Sequence, residues 1–133
     1  MIPDTNVWSE LTRETGNTKV LDWLVRHNSE LQLSVLVIAE VRAGVEGPNA
    51  GKKRAGLESW LETLRHEYRD RILLFDETAA HALGRLLVAK PQQNKMLDTL
   101  LAAQALSRDC PIATRNVKDF EWTGVKLINP WET

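Results

Sequence analysis

The sequence predicts an α/β domain built on a central, mostly parallel sheet. Two observations carry that expectation. Five short apolar stretches of strand character are separated by segments whose apolar residues recur at helical spacing. Residues that cap helices, Asp4, Ser34 and Asp76, stand at the ends of three of those stretches. Strands alternating with helices in this order imply parallel pairing through right-handed crossovers, with helices on both faces of the sheet.

The first stretch, Met1-Ile2-Pro3, is the stub of a strand in which Pro3 lacks a ladder donor. Asp4-Thr5-Asn6 suits a strand end and a helix cap, and Val7 to Arg13 reads as a short helix broken near Gly16-Asn17. From Thr18 to His27, the residues Val20, Leu21, Leu24 and Val25 share one helical face, with Trp23 at its border. Leu31 to Val35 alternates as a strand does. Ser34 then caps a helix from Val35 to Gly44, ended by Gly44, Gly47 and Pro48, and Pro48 to Gly51 is a loop. Lys52 to Tyr68 is the longest amphipathic segment, with Leu57, Trp60, Leu61, Leu64 and Tyr68 on its apolar side.

Arg71 to Phe75 forms the next strand, and Asp76 caps a helix from Glu77 to Lys90 that turns Ala79, Ala80, Leu83, Leu86 and Leu87 inward. Pro91 to Lys95 is a polar loop. A buried helix opened by Asp98 follows, then a tight turn, a short strand at Ile112-Ala113 and a polar loop from Thr114 to Asp119. Val125 to Ile128 is the last strand, closed by Pro130. With no repeat, low-complexity tract or linker in view, residues 1–133 are expected to form a single domain.

Composition narrows the function classes. The chain carries 17 basic and 18 acidic residues for a net charge of −1. A module that grips duplex nucleic acid through phosphates alone is normally basic. The balance suits an acidic pocket with scattered Lys and Arg on its approaches. Cys110 is the single cysteine and cannot close an internal disulfide. With no apolar run long enough to span a bilayer and no leader pattern, a reducing, cytoplasmic location is expected.

Four acids interrupt or end apolar elements. Asp4 ends the first strand, Glu40 lies inside Val37-Ile38-Ala39-Glu40-Val41, Asp98 sits in the first turn of its helix, and Asp119 closes the loop after Ile112-Ala113. Each has an ordinary reading. Asp4 and Asp98 suit helix capping, and Asp119 suits a loop. Glu40 is harder to place, because a carboxylate inside an apolar helix needs a partner or a metal. In a parallel sheet, strand ends and helix starts share the carboxyl edge, where ligands bind. Carboxylates gathered there repel one another unless a cation intervenes. Mg²⁺ takes such oxygen ligands while keeping waters and open positions for phosphate, which is the arrangement that phosphodiester cleavage uses.

The motifs that hold these acids are Asp4-Thr5-Asn6-Val7-Trp8, Ala39-Glu40-Val41-Arg42-Ala43-Gly44, Asp98 before Leu101-Ala102-Ala103, and Ala113-Thr114-Arg115-Asn116-Val117-Lys118-Asp119-Phe120. In order and spacing they resemble the four motifs of PIN-domain nucleases, most closely the VapC and FitB toxins of bacterial type II toxin–antitoxin systems. The resemblance covers nearly the whole chain, including the closing Asn129-Pro130-Trp131. It implies a PIN-like, three-layer α/β/α fold and a Mg²⁺- or Mn²⁺-dependent ribonuclease. Asp4, Glu40 and Asp98 match the family's metal-binding acids. At the fourth position Asn116 stands where many relatives have Asp, and Asp119 is the alternative. Asn6 and Thr114 match polar residues that orient the acids or a water, and Arg115 and Lys118 flank the site as candidate phosphate contacts. The resemblance further implies a homodimer and a cognate antitoxin that carries its own DNA-binding domain. An alternative reading is a non-catalytic PIN-fold module that serves as the antitoxin's dimeric partner.

Other chemistry finds little support in the sequence. His27, His66 and His81 lack zinc-ligand spacing, and no Gly-rich phosphate loop or nucleophile elbow is present. Cys110 reads as a core residue. Among the five tryptophans, Trp23 and Trp60 read as core, while Trp8, nearest Asp4, is open to either core packing or base stacking.

Overall fold

The computed structural model describes residues 1–90 and 95–133. The loop expected over Pro91–Lys95 therefore lies, apart from Lys95, outside the described residues.

The strands are short because a cap follows each of the first three almost at once. β1 (Ile2–Pro3) ends at Asp4, whose extended backbone and carboxylate cap α1 (Thr5–Trp8). β2 (Leu33–Ser34) runs directly into α3 (Val35–Glu46), since Ser34 is both its last residue and the helix cap, accepting from the Leu36 N–H. β3 (Ile72–Leu73) is followed at Asp76 by α5 (Glu77–Ala89), capped through the Ala79 N–H. Between these lie α2 (Thr18–Arg26), capped by Asn17, and α4 (Arg54–Glu67). The chain ends with α6 (Met96–Ser107), β4 (Ile112–Ala113), α7 (Val117–Phe120) and β5 (Leu127–Ile128).

Every pairing is parallel. β4 lies between β1 and β5, with Ile2 opposite Ile112 and Ile112 opposite Leu127. β2 pairs with β3, Leu33 opposite Ile72. The Gln32 N–H donates to the Met1 carbonyl at 2.9 Å, joining the second ladder to the free side of β1.

Alternation along β4 separates two cores. Ala113 packs with Trp8, Trp23, Leu33, Val37, Leu61 and Leu64 on the side of α2, α3 and α4. Ile112 packs with Ile2, Leu86, Leu101, Ala102 and Phe120 on the side of α5 and α6. The result is the expected three-layer α/β/α arrangement.

Some local expectations are corrected. In α2, Trp23 is 2% exposed while Val25 is 77% exposed, so the helix turns its indole inward in preference to the smaller valine. In α5, Ala82 is buried and Ala80 is exposed. The first helix begins at Thr5 and continues as a 3₁₀ turn over Ser9–Thr12. Trp8 is wholly buried, edge-on to Tyr68 with ring centroids 5.0 Å apart, and is unavailable for stacking on a base. The stretch expected as loop before Asp119 closes into the single turn of α7, drawn in by the buried Phe120.

α6 is apolar on all sides and sits in the core. Its buried Gln104 donates to the Leu73 carbonyl at 3.2 Å and accepts from the Ser34 hydroxyl. This ties α6 to β2 and β3 and fixes the direction in which its first turn points.

Candidate active site

Asp4 is the best-fixed acid. It is 5% exposed, at the carboxyl end of β1, with its own N–H bonded to the Ala113 carbonyl at 2.8 Å. Its Oδ1 accepts from the Thr5 N–H at 2.8 Å. Its Oδ2 accepts from the Thr114 hydroxyl at 2.9 Å and from Asn6 Nδ2 at 3.3 Å. Thr114 is fully buried, and its oxygen also accepts from Asn6 Nδ2 and from the Asn116 N–H. Asn6 Oδ1 in turn accepts from the Arg115 N–H. Asn6 and Thr114 therefore act as orienting residues around Asp4. The ends of β1 and β4 are stitched together at this point.

Burial pushes the Asp4 carboxyl above the ordinary aspartate range, opposed by the Thr114 and Thr5 hydrogen bonds, while the Asp119 charge adds to the rise. Glu40, on α3, is raised by burial first and then by the charges of Asp4 and Asp98. Asp98 is pushed up to about 6 by burial and by Asp4 and Asp119, partly relieved by Lys95. Charge repulsion thus links Asp4 to Glu40, Asp98 and Asp119, and Asp98 to Glu40 and Asp119. The four acids singled out in the sequence converge on one edge of the sheet.

Asp98 is not a hydrogen-bonded cap. α6 has no side-chain cap bond, and among the described residues the Asp98 carboxylate accepts no hydrogen bond. Asp119 lies in the first turn of α7, where Lys95 Nζ donates to its Oδ2 at 2.8 Å. Asn116 is exposed and lines, with Arg115, Lys118 and Asp119, an outer cleft of about 400 Å³. The Arg115 guanidinium lies 5.3 Å from the Trp131 ring centre.

Two residues at this edge carried no clear signal in the sequence. The Thr5 hydroxyl is buried beside Glu40, whose charged form it favours. Its position between Asp4 and Asn6 was the available hint. Lys95 was read only as the end of a polar loop.

The donors are hard oxygens, which suit Mg²⁺ or Mn²⁺. Among the described residues no group of three or more His, Cys, Asp or Glu side chains is assembled to enclose an ion. The carboxyls of Asp4 and Glu40, pushed upward by burial and by neighbouring acids, fit the arrival of a cation whose charge would offset that repulsion.

Residues 1–124 match the family model described as PIN domain. This chain is a PIN domain. Over nearly its full length it is similar to the plasmid stability protein StbB of Pseudomonas syringae pv. tomato, at 38% identity covering 97% of this chain and 96% of that one. The PIN domain is also 34% identical to VapC ribonuclease Y4jK of Sinorhizobium fredii, covering 99% and 98% of the two chains. Toxin FitB of Neisseria gonorrhoeae is 34% identical, with 96% of each chain covered. Among solved structures, FitAcB from Neisseria gonorrhoeae aligns with a TM-score of 0.86 at 31% identity over 99% of both chains. FitAB bound to the IR36 DNA fragment aligns with a TM-score of 0.85 at 32% identity, covering 98% of this chain and 94% of that one. Among the described residues no helix is long and apolar enough to cross a membrane.

Proposed function

We propose that this PIN domain, a single unit over residues 1–133, is a Mg²⁺- or Mn²⁺-dependent endoribonuclease and the toxin of a type II toxin–antitoxin pair. The observation that carries the reading is Asp4, buried at the carboxyl end of β1 and held there by Thr5, Asn6 and Thr114, with Glu40, Asp98 and Asp119 close enough for charge repulsion with it. Full-length similarity to proteins named VapC ribonuclease and Toxin FitB supports the same conclusion. The toxin role brings with it a homodimer and a cognate antitoxin with a DNA-binding domain. The similarity to FitAB bound to DNA agrees with that assembly.

Asp4 and Asp98 would be the principal ligands, with Glu40 and Asp119 as the neighbouring acids. Asp119 serves in preference to Asn116, because its charge reaches both Asp4 and Asp98. A bound divalent cation supplies an activated water and stabilises charge on the leaving oxygen. Asn6 and Thr114 hold Asp4 in one orientation, so the ligand geometry is set before the ion arrives. Glu40, whose carboxyl is pushed above the ordinary glutamate range by burial and by the charges of Asp4 and Asp98, is suited to accept the proton that the attacking water gives up. Arg115 and Lys118, exposed on the outer cleft, meet the RNA backbone.

The test is incubation of the purified protein with total RNA in Mg²⁺ or Mn²⁺, in chelator, and with the variants Asp4→Asn and Asp98→Asn. Cleavage by the wild type alone, abolished by chelator, supports the reading. Equal cutting by Asp4→Asn refutes the site. A wild type that binds its antitoxin but cuts no RNA under any metal condition would establish the non-catalytic interaction module instead.

A further inference from the structure

Lys95 is the only Lys or Arg, among the described residues, within ion-pair distance of any of the four acids. It stands immediately before α6, three residues ahead of Asp98, and its carbonyl is gripped by both the N–H and the hydroxyl of the buried Thr99, at 3.1 and 3.2 Å. Its ammonium crosses to α7 and donates to Asp119 Oδ2 at 2.8 Å. The pair thus links the two elements that carry the third and fourth acids. It is also solvated, with the Lys95 side chain 59% exposed and that of Asp119 30% exposed, so it is held weakly and exchanges easily. A divalent cation entering the cluster brings two charges to the same carboxylates and competes with Lys95 for Asp119.

We propose that Lys95 is an exchangeable counter-ion of the acid cluster. It occupies Asp119 when no divalent cation is present, is displaced when one binds, and thereby sets the affinity of the site for metal. This inference rests on the proposed metal site, but its readout does not require cleavage. Lys95 is absent from the sequence's four acid motifs, and the role follows from where its ammonium lies rather than from a motif.

The experiment is Mn²⁺ titration of the full chain by calorimetry, with free ion followed by electron paramagnetic resonance, at low and high ionic strength. Lys95→Gln removes the competing charge. It should bind Mn²⁺ about three- to tenfold more tightly at low salt, given one fewer positive charge within the cluster. The gain should shrink at high salt, where exposed charges are screened. Lys95→Arg keeps the charge and should stay within about twofold of wild type. Because the side chain is exposed, circular dichroism should report an unchanged fold for both variants. Wild-type binding with no gain, or a loss, in Lys95→Gln overturns the counter-ion role while leaving the metal site intact. No Mn²⁺ binding by the wild type overturns both.

Discussion

Asp98→Asn should stabilise the metal-free protein at neutral pH while destroying its function. The carboxyl of Asp98 is pushed from an ordinary aspartate's 3.8 to about 6, by burial and by the charges of Asp4 and Asp119. That rise corresponds to roughly 3 kcal/mol of opposition to the charged form. Asp98 is only half-buried, and solvent screening reduces the contribution to about 1.5 kcal/mol. A first-turn aspartate gains roughly 0.5 kcal/mol from the helix dipole, which the variant forgoes. The net stabilisation is about 1 kcal/mol, or a rise in Tm of roughly 3 °C for a chain of this size. The sign with pH is set by proton binding. Between about 4 and 6 the folded chain holds a proton that the unfolded chain has released, so wild-type stability falls as pH rises through that window. The variant's advantage should be full above pH 6 and fade toward pH 4. Thermal melts in chelator from pH 4 to 8 measure it, and saturating Mg²⁺ should reverse the order by stabilising wild type alone. An Asn variant no more stable than wild type at pH 7.5 in chelator would refute the view that these acids repel one another.

Two other substitutions probe the supports of the site. Thr114→Val removes the donor that holds Asp4 Oδ2 at 2.9 Å, and should lower metal affinity or cleavage by about 10- to 100-fold. Far-UV circular dichroism should stay as in wild type. Gln104→Leu leaves the Ser34 hydroxyl and the Leu73 carbonyl without their partner in the core, and should cost roughly 2–3 kcal/mol in urea unfolding.

The fold was legible in the sequence wherever a cap met an apolar period. Asp4, Ser34 and Asp76 mark helix starts in the sequence and cap them in the structure. Their immediate placement after the strands explains why sequence alone overestimates strand length: a residue such as Ser34 has extended backbone and strand character while already serving the helix. The facing of α2 was legible in part: Val20 and Leu24 are buried as their spacing indicates and Trp23 is core, while Val25 is exposed. Trp23 joins the core that also holds Trp8, Leu33 and Leu61, so the exact rotation depends on other elements. The candidate acids stand out in the sequence as charges out of place in apolar surroundings. Lys95 and Thr5 do not. A lysine before a helix and a threonine after an aspartate are unremarkable until the fold brings Asp119 and Glu40 beside them.

The central claim is that the acids at this edge of the sheet hold a divalent cation. The most direct measurement is an anomalous difference map from crystals grown with Mn²⁺. It should show a peak bridged by the Asp4 and Asp98 carboxylates, with Lys95 drawn away from Asp119, and no such peak in Asp4→Asn. A protein that cuts RNA in Mn²⁺ while its crystals hold the ion elsewhere, or hold none, would contradict the account.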